Sequence, residues 1–170
     1  MTKANQVIEA TKRRTLRPSV GELYTICVPS CGWFYALLAK DNVYLDDSFG
    51  PFRIVYVYEN CSKIREDVPD LHRDRLLIPI SVCNSTPWTT GKFEYLKSLS
   101  NWSDLCYAKH SFFCDFFTPI RHFDESGTRI ERPLDPCLRS GMSSGQSIDF
   151  EIGLKLGLLD EEGQLVKKSR

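Results

Sequence analysis

The chain has 170 residues, 42% of them hydrophobic and 26% charged, and its 22 basic side chains equal its 22 acidic ones. That length suits one domain with a sizeable core, and the apolar content excludes a disordered protein. A formal net charge of zero speaks against a chain built mainly to hold nucleic acid, and no apolar run approaches the roughly 20 residues of a membrane span.

Met1–Arg17 is a polar, basic lead-in with no apolar stretch of the secretory kind, and the weak apolar face of Val7, Ile8 and Ala10 predicts one short helix over the first thirteen residues. Pro18 disfavours helix at Arg17 and announces extended chain. Gly21–Val28 alternates apolar and polar side chains and reads as a half-buried strand. Ser30-Cys31-Gly32 is a turn, and Trp33–Ala39 is apolar on both faces, so the two segments predict a hairpin with a central second strand. Asp46–Pro51 is turn-rich, and Phe52–Tyr58 is the strongest strand signal in the chain.

The highly charged Ser62–Arg75 stretch reads as an exposed loop. Leu76–Val82 returns to strand, with Pro79 placing it at an edge or bulge. Asn84–Thr90 reads as a turn and Gly91–Leu96 as the start of another strand. Farther on, Phe112–Phe117 and Arg129–Leu134 are predicted strands joined by the Asp124–Gly127 turn. Ile148–Leu158 fits a helix, with Ile148, Ile152, Leu156 and Leu159 on one face and Gly157 as terminator. Asp160–Gly163 is a turn leading to a last short strand at Gln164–Val166. The expectation is a mostly-β (α+β) single domain over residues 1–170: a curled antiparallel sheet or partly open β-barrel, with a short N-terminal and a C-terminal helix.

The seven cysteines form an odd count, which suits reduced thiols in the cytoplasm better than a disulfide framework. Cys106-x3-His110-x3-Cys114 would line up two thiols and an imidazole on a helix, with Cys27 and Cys31 available to complete a zinc site. The spacing is not the tight CxxC pair, and His110 runs into a strand, so no metal or other cofactor is expected. No thiol is paired by spacing with a histidine, and phosphate-binding glycine patterns are absent, so an enzyme is not expected. Trp33, Tyr35, Tyr56, Tyr58, Trp88, Phe93 and Tyr95, interleaved with Arg53 and Lys92, read first as a sheet core and second as a stacking platform for single-stranded nucleic acid.

The order Gly21-Glu22-Leu23-Tyr24-Thr25-Ile26, Trp33-Phe34-Tyr35-Ala36, Ile54-Val55-Tyr56-Val57-Tyr58, Leu76-Leu77-Ile78-Pro79-Ile80, Asn84, Pro87-Trp88 and Gly91-Lys92-Phe93 resembles the immunity protein 26 family of bacterial polymorphic toxin systems. It covers residues 18–99 and departs from the family pattern at Glu22, where Asp is expected, and at Lys92, where an aromatic is expected. Residues 100–170 form an unmatched extension expected to pack on this region. The resemblance implies a non-catalytic antitoxin that binds a cognate toxin protein and neutralises it by occlusion. The candidate contact residues are Asp41, Asp46 and Asp47 of an acidic loop facing a basic toxin, with Trp88 and Lys92. No membrane or nucleic-acid partner is expected under this reading. The alternative is a small β-barrel module binding single-stranded nucleic acid.

Overall fold

The computed structural model describes residues 6–13, 17–45, 49–115, 118–140 and 145–166. It is mostly β, with two sheets that do not close into a barrel. The strands β1 (Glu22–Val28), β2 (Gly32–Val43), β3 (Phe52–Val57) and β4 (Ser81–Cys83) run as an antiparallel meander. A short helix, α1 (Thr86–Thr89), precedes β5 (Glu94–Ser98), which returns to the free side of β1, so the sheet order is β4-β3-β2-β1-β5. After a 3-10 turn at Trp102–Leu105 come β6 (Ser111–Cys114), β7 (Arg121–Asp124), β8 (Arg129–Ile130) and β9 (Cys137–Arg139), which form a second sheet of order β8-β7-β6-β9. The helix α2 (Gly145–Lys155) is the last regular element among the described residues.

The central strands β1, β2 and β3 are buried on both faces, which is why Trp33–Ala39 reads as apolar all round. Successive strand side chains point to opposite faces. Tyr24, Ile26, Phe34, Ala36, Leu38, Val55 and Val57 therefore meet Trp88, Phe93, Val7, Ile8 and the Ile148 and Ile152 face of α2 on one side. Leu23, Tyr35, Leu37, Ile54 and Tyr56 meet Cys106 and Phe112 of the second sheet's side on the other. The domain has three layers with the large sheet in the middle.

A β-bulge decides one important orientation. The β2–β3 register shifts between Leu38 and Lys40, so Lys40 does not follow Phe34, Ala36 and Leu38 towards α2. Its ammonium instead reaches the Ala108 carbonyl at 2.7 Å, on the second sheet's side.

Several expectations need correction. Residues 6–13 are not helical. Val7 and Ile8 are consecutive and both buried, and the Glu9 N–H bonds the Cys27 carbonyl at 2.9 Å, so the segment lies extended along β1. Packing of two adjacent apolar residues outweighs a weak helical preference here. Within Leu76–Val82 only Ser81 and Val82 are strand; Leu76 forms an isolated bridge to Tyr58. The expected turn at Asn84–Thr90 holds α1, started by Pro87 in its first turn.

The Asp124–Gly127 turn exists, with Asp124 Oδ1 accepting from the Ser126 and Thr128 N–H groups at 2.9 and 3.0 Å. It joins β7 to β8, not β6 to β8, because Arg121–Asp124 is a strand of its own. The helix at Ile148–Leu158 is present and begins three residues earlier, at Gly145. Gly157 ends it at φ 64°, and Leu159 bridges Leu165 in place of a regular last strand.

Gly32 opens β2 at φ +119°, and a Cβ there would stand 2.5 Å from the Ser62 carbonyl oxygen. Trp33 and Ser62 exchange backbone hydrogen bonds of 2.8 and 2.9 Å at this place. Gly32→Ala is therefore expected to lower unfolding stability by about 1–3 kcal/mol, read from urea denaturation; an unchanged midpoint would contradict the constraint.

Candidate functional site

Two arrangements stand out among the described residues: a closed polar network between the sheets and an open groove beside the edge of the larger one.

The network begins at Tyr56 of β3, whose side chain points to the second sheet. Its hydroxyl lies 2.7 Å from His110 Nε2, and His110 Nδ1 lies 2.7 Å from Glu125 Oε1. His110 is fully buried, just before β6, and Glu125 directly follows β7. Lys40 completes the chain, 3.4 Å from Glu125 Oε2. The Tyr107 N–H donates to the Tyr56 hydroxyl oxygen at 3.1 Å.

One proton arrangement satisfies every group. The Tyr56 O–H donates to Nε2, and Nδ1–H donates to the Glu125 carboxylate. Burial raises the Tyr56 phenol, which keeps it a donor. Burial alone would also raise Glu125, but the hydrogen bond from His110 and the charge of Lys40 outweigh it and hold the carboxyl below its ordinary value. All these groups face one another, so the network serves as an inter-sheet clamp.

The sign of its pH dependence follows. A carboxyl whose folded pKa is depressed contributes stability above its unfolded pKa and loses that contribution as pH falls through the folded value. Stability should therefore drop as pH falls below the ordinary glutamate range. Glu125→Gln should flatten that acid limb, and an unchanged slope in pH-dependent urea melts would contradict this.

His110 has both ring nitrogens engaged, and the Cys106–Cys114 segment is a loop leading into β6 with no helix, so the three side chains do not line up as metal ligands. Among the described residues no group of three or more His, Cys, Asp or Glu side chains converges in a manner that could hold a metal ion. Burial pushes the Cys83 thiol up to about 12, with the nearby Arg53 charge offsetting part of the rise. Burial likewise raises Cys27 and Cys106, so these three are thiols rather than thiolates at neutral pH.

The expected contact residues are placed differently from the sequence reading. Trp88 is 1% exposed and Lys92 5% exposed, so neither presents a surface to a partner. Trp88 packs edge-on to Tyr24 and Phe93. Lys92 pairs with Asp149 of α2 at 3.2 Å, and Asp149 Oδ1 also accepts from the Val7 and Ile8 N–H groups at 3.2 and 2.6 Å. Asp41 sits at the end of β2, paired with Arg17 at 2.9 Å and with Arg53 at 3.4 Å. Asp46 and Asp47 lie outside the described residues. The aromatic platform is not formed either: Tyr35, Tyr56, Tyr58, Trp88 and Phe93 are all in the core, and among the seven aromatics only Tyr95 is exposed, with Trp33 half-buried.

The groove has a volume of about 930 Å³. One wall is the Leu76–Ile80 segment leading into β4, which among the described residues has no strand on its outer side. Leu138 of β9 and Pro136 line it from the second sheet, and Glu151, Leu154 and Lys155 line it from α2. Arg73, Asp74 and Tyr107 complete the lining: the Arg73 guanidinium stacks 5.1 Å from the Tyr107 ring centre, and the Tyr107 hydroxyl donates to Asp74 at 2.6 Å. The surface is predominantly apolar, and all three layers contribute to it. Its Leu76–Ile80 wall was visible in the sequence, but Glu151, Leu154 and Lys155 were not singled out. Their i, i+3, i+4 spacing on a helix was the available signal.

No protein-family model matches the chain, and no curated protein or solved structure is found to match it.

Proposed function

We propose that the chain is an immunity protein of the cytoplasm, a non-catalytic binder that neutralises a cognate bacterial toxin by covering its working surface or holding it inactive. The observation that carries this reading is the position of Leu76-Leu77-Ile78-Pro79-Ile80. This stretch is the most specific part of the resemblance to immunity protein 26, and it forms a wall of the apolar groove. Binding proteins of this kind bury about 1,200–2,000 Å² in total, centred on a few well-desolvated anchors. A groove flanked by an edge strand and a helix offers such a centre. The side chains best suited to acid–base chemistry, His110 and Glu125, are turned onto each other between the sheets, which further supports recognition over catalysis.

The test is rescue from toxicity. The C-terminal domain encoded beside this chain is expressed alone and then together with it. Survival restored only by co-expression, with a complex that co-purifies, is the expected result. A toxic neighbour that is neither bound nor neutralised would sink the reading.

A further inference from the structure

The geometry points to a specific occupant for the groove: an extended, apolar protein segment carrying one lysine or arginine, with its cation seated against Glu151. This deepens the immunity reading and rests on it for the identity of the partner as a toxin.

Two observations carry the inference. First, Glu151 is a half-buried carboxylate in the apolar lining of the groove, with no hydrogen bond or ion pair to any described residue. The other charges of the groove are differently placed. Asp74 accepts from the Tyr107 hydroxyl, and Arg73 lies over the same ring. Lys155, one turn from Glu151, is exposed and makes no ion pair with it. Burial without compensation raises the Glu151 carboxyl, and an arriving cation would relieve that penalty. A pair formed there would be desolvated on docking, so it would discriminate between partners far more than a rim charge.

Second, the groove lies beside a sheet edge, along the bridged and bent Leu76–Ile80 segment that leads into β4. Leu77 gives its N–H to the Val57 carbonyl at 2.8 Å on the inner side, and among the described residues β4 has no strand beyond it. An apolar floor beside such an edge suits an extended segment, whose alternate side chains enter the groove. Leu76, Ile80, Leu138 and Leu154 are the half-buried side chains that would receive them.

The experiment is a titration of the full chain, isotopically labelled for amide NMR, with capped peptides that place lysine, norleucine or glutamate between leucines, flanked by serine and glycine. The lysine peptide is expected to shift amides at 76–80 and 151–155 and to bind roughly tenfold more tightly than the norleucine peptide. Glu151→Gln should remove that preference, and Glu151→Lys should reverse it in favour of the glutamate peptide. Equal binding of lysine and norleucine peptides, or shifts confined to other parts of the chain, would overturn the inference. So would the absence of any shift.

The rescue assay separates this outcome from the wider reading. If the native chain rescues and Glu151→Lys rescues equally well, the groove is not where the toxin binds, although immunity stands. If the peptide pattern holds and the native chain fails to rescue, groove recognition stands and the toxin is the wrong partner.

Discussion

Replacing Asp149 with alanine is expected to lower unfolding stability by about 3–5 kcal/mol, the usual loss when one member of a buried ion pair is removed. The side chains of Lys92 and Asp149 are each only 6% exposed. Alanine at 149 would take the carboxylate away from the Lys92 ammonium and leave the Val7 and Ile8 N–H groups without this acceptor. The two partners are unequal. Lys92→Met should cost less than Asp149→Ala, because the carboxylate keeps two backbone donors. Asp149→Asn should fall between, retaining the acceptor oxygen but not the charge. Lys92→Met combined with Asp149→Leu removes both charges and should recover part of the loss of Asp149→Ala. Urea denaturation of this series reads the ranking directly; equal losses for Asp149→Ala and Asp149→Asn would show that the backbone contacts contribute nothing.

The second large effect is expected at the clamp between the sheets. His110→Ala should lose about 3–5 kcal/mol, combining an interior void with the loss of the acceptor for the Tyr56 O–H and of the ring donor to Glu125, whose carboxylate among the described residues keeps only Lys40. Tyr56→Phe keeps the ring and removes only the hydroxyl, leaving His110 Nε2 and the Tyr107 N–H without a partner; it should lose about 1–3 kcal/mol. The double variant should lose less than the sum, because both side chains belong to one network. His72, which is exposed on the loop before β4, serves as the control, and its alanine variant should stay within about 0.5 kcal/mol of the native chain. Strict additivity of His110→Ala and Tyr56→Phe would contradict the coupling.

How much of this was legible in the sequence follows from how each part is held. The strands β1, β2 and β3 were readable because each side chain answers to a buried face, leaving a dense apolar pattern from Leu23 to Tyr58. Strand β7 was not, since Arg121-His122-Phe123-Asp124 commits only Phe123 to the core. Strand β9 is three residues long and exists through its parallel pairing with β6, a contact with no local signature. Lys92 reads from sequence as a surface cation, because lysine is rarely buried without a partner; its partner Asp149 arrives in a different element. His110 was noticeable as a candidate ligand, but its actual partners lie on β3 and after β7, where no spacing rule could reveal them. The groove was half visible for the same reason: one wall is a continuous stretch of chain, and the others are assembled by folding.

The Asp149 anchor also bears on how this chain is made. Its bonds to Val7 and Ile8 join positions 142 and 141 residues apart, so the extended N-terminal segment cannot reach its final seat until α2 has been synthesised and released. The β1–β4 meander, built from neighbouring strands, can assemble before α2 is made, whereas the layer of α2 against Val7, Ile8 and Lys92 forms only after it. A ribosome stalled before Asp149 would therefore hold a chain whose sheet is paired but whose α2-side face is open to solvent. Seating of the N-terminal segment in this protein is a closing event that waits for α2 to emerge.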